Sequence, residues 1–123
     1  MSMGAFSLSL NVRNIETSFA FYRKLGFRQL GGRIEDKWLI LTNGDTVIGL
    51  FEGMFEKNML IFTPGWDKEG RNVDPFEDVR DIQKRLKAQG IALDAEADPG
   101  TSGPAHVMLT DPDGNPILID QHR

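Results

Sequence analysis

Asp111-Pro112-Asp113-Gly114-Asn115-Pro116-Ile117-Leu118-Ile119-Asp120-Gln121 carries the strongest local structural signals in the chain. It opens as a tight turn. Pro112 presets φ at about −65°, the Asp and Asn side chains bond back to the local backbone, and Gly114 takes positive φ without a Cβ clash. The apolar run Ile117 to Ile119 follows, so the stretch reads as a turn feeding the second strand of a β-hairpin. Its partner is Ala105 to Thr110.

Working backwards, Gly100 to Pro104 is a loop of small residues and Ile91 to Ala95 a short strand. Before it, Val79, Ile82 and Leu86 fall on one face of a helix that Gly90 ends. Asp74-Pro75 reads as its start, with Asp as N-cap and Pro at the first helical position. Pro64 to Asn72 is polar, contains glycine and lacks periodicity, so it is a loop. Met59 to Thr63 is an apolar strand. The first half has the same order. Phe6 to Val12 alternates strictly and is a strand; Asn14 caps a helix over Ile15 to Lys24, and Gly26 stops it. Phe27 to Gly31, Lys37 to Thr42 and Thr46 to Glu52 are strands, the last two joined by the hairpin turn Asn43-Gly44-Asp45. The chain thus reads as βαβββ twice, with Leu25-Gly26-Phe27 matched by Gln89-Gly90-Ile91 and Asn43-Gly44-Asp45 by Asp113-Gly114-Asn115.

These residues resemble the vicinal oxygen chelate superfamily, the glyoxalase I, bleomycin-resistance and extradiol-dioxygenase group. Val12 to Phe27 is similar to its strand-helix signature ending in Phe-Tyr and Leu-Gly-Phe, and Asp111 to Pro116 to its Asp-Pro-Asp-Gly-Asn hairpin. The resemblance implies an α+β fold in one domain over residues 1–123. Two βαβββ repeats, about 5–53 and 57–123, form a cupped eight-stranded mixed sheet with helices on the convex face. Such a fold hosts several unrelated functions.

The resemblance also implies where a divalent metal is held, by His, Glu or Gln on strands that begin and end the repeats. Those positions fall here on Ser7, near Gly49, on Met59 (Asn58 if the register slips by one) and on Leu118. None is a competent ligand for Zn²⁺, Ni²⁺, Mn²⁺ or Fe²⁺, so no metal and no cofactor is expected. Other donors near strand ends are Glu52, His106, Asp120 and His122. Parity then sets the cavity lining. Ser7, Ser9 and Asn11 face inward on the first strand; Val47, Gly49 and Phe51 on the last strand of the first half; Pro116, Leu118 and Asp120 on the last strand of the chain. Trp38 and the loop residue Trp66 are candidates to stack on a planar ligand. Lys68 and Arg71 are loop cations suited to an anionic one.

The expected substrate-binding set is therefore Ser7, Ser9, Asn11, Trp38, Phe51, Trp66, Leu118 and Asp120, with Asp120 and His106 as the candidates for acid-base work. The reading is a small-molecule binder that lacks the family metal site. The alternative is a lyase, isomerase or dioxygenase using an off-pattern divalent metal or a metal-free acid or base; the third option is a module that only associates with protein. By resemblance a homodimer is expected.

Composition supports a globular domain: 123 residues, 40% hydrophobic and 26% charged, at net charge −4. No dense Lys/Arg cluster points to nucleic acid or an anionic membrane as partner. Without cysteine there is no disulfide, thiolate metal site or cysteine nucleophile. No apolar run approaches the roughly 20 residues of a membrane span, and Phe6 to Val12 is too short for a signal peptide. The expected localisation is cytoplasmic.

Overall fold

A computed structural model describes residues 2–123 of the chain. Seven strands and two α-helices alternate along it: β1 (Ala5–Val12), α1 (Ile15–Lys24), β2 (Arg28–Arg33), β3 (Trp38–Asn43), β4 (Thr46–Glu52), β5 (Met59–Thr63), α2 (Val79–Ala88), β6 (Ala105–Thr110) and β7 (Pro116–Gln121). Pairing is parallel in some strands and antiparallel in others, giving a mixed α+β fold. The chain forms two compact units, residues 7–59, and residues 60–123 with the N-terminal segment to Phe6. No helix among the described residues is long and apolar enough to cross a membrane.

In the 7–59 unit the strand order is β2-β3-β4-β1. The alternation of β1 puts Leu8, Leu10 and Val12 against a core of Ile15, Leu39, Leu41, Ile48 and Leu50. Complete burial of a Leu or Ile side chain contributes about 2 kcal/mol, and Leu39, Leu41 and Leu50 have no exposed surface. Helix α1 starts where the sequence places it. The Asn14 side chain accepts from the Thr17 amide at 3.0 Å, and Glu52 Oε1 accepts from the Ile15 amide at 2.9 Å. Two amides that no helical carbonyl can reach are thereby satisfied. The β3–β4 hairpin turns at Gly44, whose φ is 60°.

In the 60–123 unit the order is β5-β7-β6. The stripe Val79, Ile82 and Leu86 on α2 packs on Val107, Ile119 and Ala97. The turn before β7 is held by Asp111, whose carboxylate accepts from the amides of Asp113 and Asn115, both at 2.9 Å, and from the Asn115 side chain at 2.8 Å. The Asn115 side chain, followed by these amides, holds the Asp111 carboxyl below its ordinary value.

Three expectations change. Helix α2 begins at Val79, with Asp78 as N-cap, rather than at Asp74-Pro75. Asp78 accepts from the Arg80 amide at 2.9 Å, while the Asp74 carboxylate is taken by Arg123 at 3.0 Å. The strand expected over Ile91 to Ala95 reduces to a single bridge between Ala95 and Met108. The Ile91 amide is bonded to the Leu86 carbonyl at the end of α2, so the chain straightens too late to pair further. Seven strands are therefore present among the described residues, where eight were expected. Finally, β2 runs on to Arg33 past a bulge between Gln29 and Gly31.

Candidate functional site

Each unit has one strand face covered by its helix and one turned away from it. In the 7–59 unit the face away from α1 is ordered in rows by strand register. Asn11, Phe51, Trp38 and Arg33 are successive cross-strand partners, as are Ser9, Gly49, Ile40 and Gly31, and as are Val47, Thr42 and Arg28. Ser7 lies on the same side of β1 as Ser9.

Aromatic rings dominate this face. Trp38 and Phe51 stack with centroids 6.3 Å apart and planes 7° from parallel, and Phe51 meets Phe55 at 5.3 Å. Gly49 makes the arrangement possible. A Cβ there would sit 2.5 Å from Phe51 Cε2 and 3.3 Å from Cζ, so the Phe51 ring leans into the space a side chain at 49 would take. Phe55 is carried by the segment after β4, which Asn11 holds down. The Asn11 amide donates to Asn58 Oδ1 at 2.9 Å, and its Nδ2 donates to the Glu56 carbonyl at 3.2 Å. Asn11 thus works as a tether of this segment. Ser9 and Thr42 are buried on this face, 4% and 8% exposed.

In the 60–123 unit, Leu118 and Asp120 lie on the face of β7 away from the core residue Ile119, and His106 of β6 is the cross-strand partner of Asp120. Asp120 Oδ2 is 3.2 Å from His122 Nε2. The His122 ring stacks on Trp66, with centroids 4.6 Å apart and planes 12° from parallel. Trp66 is fixed in turn by its indole N–H, which donates to Asn72 Oδ1 at 3.0 Å. Asp67 folds this loop by accepting from the Arg71 and Glu69 amides, bonds that hold its carboxyl below the ordinary value.

The last residues of the chain grip the loop between β5 and α2. Gln121, 2% exposed, accepts from the Val79 amide at 2.7 Å and donates to Asp78 Oδ2 at 2.9 Å, and also to the Gly103 and Arg123 carbonyls. Burial pushes the Asp78 carboxyl up, but hydrogen bonds from Gln121, the Arg80 amide and the Arg80 guanidinium outweigh it, and the net shift is down. Arg123 lies over the Phe76 ring at 4.5 Å and donates to the Gly65 and Val73 carbonyls.

Of the residues expected from sequence, Ser7, Ser9, Asn11, Trp38 and Phe51 share one face of the 7–59 unit. Leu118, Asp120 and His106 share one face of the 60–123 unit. Trp66 enters that second group through His122, whose role there the sequence reading did not give. Thr42, Phe55 and Arg28 were also missed. Thr42 was open to the same parity argument, two residues past Ile40 on β3. Phe55 lies in a segment without periodicity and carried no signal.

The superfamily metal is tested by donor chemistry. Ser7, Gly49, Met59 and Leu118 offer a hydroxyl, no side chain, a thioether and an isobutyl group, and the Phe51 ring fills the place of a side chain at Gly49. These residues do not fit a divalent ion. Among the described residues no three of His, Asp and Glu are grouped so as to hold a metal elsewhere.

The model of the glyoxalase/bleomycin resistance protein/dioxygenase superfamily matches residues 4–119. The chain belongs to this superfamily. Solved structures agree on the fold. A superfamily member from Vibrio splendidus 12B01 is 19% identical, with a TM-score of 0.62 over 94% of this chain and 97% of that one. A Legionella pneumophila protein described as an NAD-dependent benzaldehyde dehydrogenase is 15% identical, with a TM-score of 0.67 over 96% and 99%. A hypothetical protein from Bacillus halodurans C-125 is 16% identical, with a TM-score of 0.63 over 95% and 92%. No curated protein matches the chain. At these identities the likeness is one of fold, and the superfamily member is read further from its own residues.

Proposed function

We propose that this superfamily member binds a small planar molecule without a metal, on the face of the 7–59 unit that carries Trp38, Phe51 and Phe55. The observation that carries the reading is the stacked Trp38–Phe51 pair over Gly49. Apolar aromatic walls with a few placed polar groups are the usual make-up of a ligand site, and here Ser7 and Ser9 supply hydroxyls beside the rings. The homodimer expected from the resemblance is kept as part of the proposal.

A metal-free acid-base reaction is the second reading. It is favoured by the Asp120–His122 pair, a carboxylate 3.2 Å from an imidazole nitrogen, two groups able to move a proton. The first reading draws on more of the structure, because the aromatic face joins β1, β3, β4 and the segment after β4.

The test is calorimetric titration of tag-free protein with 2-naphthamide, a neutral planar probe. Wild type is expected to bind it, and Trp38→Ala to weaken binding about tenfold or more, since one aromatic stacking partner is worth about 1 kcal/mol beyond its buried area. Equal affinities in the two proteins would exclude this face as the site.

A further inference from the structure

Four polar residues are buried among the described residues: Ser9, Thr42, Gln83 and Gln121. Two of them are fully used by the fold. Gln83 exchanges hydrogen bonds with both backbone groups of Ala97, at 3.0 and 2.7 Å, and Gln121 caps α2. The other two lie on the face of the 7–59 unit away from α1. Neither the Ser9 nor the Thr42 hydroxyl has a hydrogen-bond partner among the described residues, yet no side-chain polar atom sealed from solvent lacks one. Both hydroxyls therefore open onto that face. A face that keeps two hydroxyls on residues only 4% and 8% exposed, without a partner among the described residues, has donors ready for something outside the protein.

A cation stands next to one of them. Arg28 is the direct cross-strand partner of Thr42 in the β2–β3 pair. The two side chains share a face and leave the backbone about 5 Å apart. Arg28 is exposed and has no ion pair among the described residues. The other arginine on this face, Arg33, has Glu35 at 3.7 Å and Asp36 at 3.8 Å, and its charge is opposed there. The chain carries a net charge of −4, so its overall field does not draw anions in. A preference for an anion here must come from a local, unopposed cation, and Arg28 is placed to supply it.

We infer that the ligand of this face is a planar organic anion, a carboxylate on an aromatic body. The inference rests on the small-molecule reading above and names the ligand class. Arg28 and the Thr42 hydroxyl donate to the carboxylate. The aromatic body lies over Ile40, against the Phe51 ring that covers Gly49 and towards Trp38. From Thr42 to Trp38 along β3 is about 13 Å at 3.3 Å per residue, and the Phe51 ring, leaning over Gly49, shortens the gap. A bicyclic acid spans it, and the Ser9 hydroxyl meets the far edge of the rings or a substituent there.

The experiment compares 2-naphthoate with 2-naphthamide, of the same shape and without charge, by calorimetry and by amide-resolved NMR of the whole chain. The acid is expected to bind about tenfold tighter, the effect of one charge-assisted contact, and to shift the amides of Arg28, Thr42 and Ser9. Arg28→Gln is expected to abolish the difference between acid and amide. Thr42→Val is expected to weaken the acid severalfold. Equal binding of acid and amide by wild type would overturn the anion assignment and leave the small-molecule reading standing. So would a preference that survives Arg28→Gln or is lost only in Arg33→Gln. Binding of neither probe would overturn both.

Discussion

Replacing Gln121 by leucine is expected to lower the unfolding free energy by about 3 kcal/mol, the largest effect of any surface-remote polar residue in the chain. Leucine matches glutamine in size and costs little in packing. The loss is in bonds. The Val79 amide lies at the buried start of α2 and has Gln121 Oε1 as its acceptor at 2.7 Å. Without it a backbone donor is stranded away from water, at about 1–3 kcal/mol. The Gly103 and Arg123 carbonyls and Asp78 Oδ2 each lose a donor as well. Because Asp78 is also the N-cap of α2, the change weakens the cap and the last strand together. Urea denaturation with the midpoint compared at constant m-value reads the effect. A loss below about 1 kcal/mol would show that water replaces the amide there.

The second large effect is expected at Gly49. Gly49→Glu puts a carboxylate at one of the positions where the superfamily carries a metal ligand. It is expected to destabilise by about 3 kcal/mol and to gain no metal affinity. The backbone is not the obstacle, since φ at Gly49 is not positive. The obstacle is the Phe51 ring, with Ile40 Cδ1 a further 3.4 Å from the same Cβ position. Moving the ring breaks its stacking on Trp38, and the new carboxylate enters a buried site without a partner. In a Phe51→Ala background the same substitution should cost less than half as much, because the ring that opposes it is gone. Additive losses in the double variant would mean that Phe51 does not hold that space.

The same residues show what the sequence made legible. The strict alternation of β1 and the Gly-centred turns before β4 and β7 are local signals, and local chemistry obeyed them. Parity placed Ser7, Ser9, Asn11 and Phe51 on one face because side-chain direction in a strand is fixed by geometry alone. What failed depended on distant partners. Asp74-Pro75 looks like a helix start, but Arg123, at the other end of the unit, takes the Asp74 carboxylate, and Gln121 on β7 completes the start of α2 at Val79. Ile91 to Ala95 has strand composition, and there the deciding bond is local: the Ile91 amide is consumed by the Leu86 carbonyl in closing α2. His122 stood out in the sequence only as a donor near a strand end, and its stacking on Trp66 joins two segments far apart in sequence. In the candidate site, the donor chemistry of Ser7, Gly49, Met59 and Leu118 follows from the residue types alone, whereas the Phe51 ring leaning into the side-chain space at Gly49 is a matter of packing that the residue types do not carry.

If, as proposed, this superfamily member holds a planar ligand on the Trp38–Phe51 face without a metal, chelation leaves that binding unchanged. The most direct measurement is amide-resolved NMR of 2-naphthamide binding to protein held in EDTA, repeated after the EDTA is replaced by excess Ni²⁺ or Zn²⁺. The same affinity is expected in both, with the shifted amides centred on Ser9, Trp38, Gly49 and Phe51. Binding that vanishes in EDTA and returns with the metal would contradict the proposal.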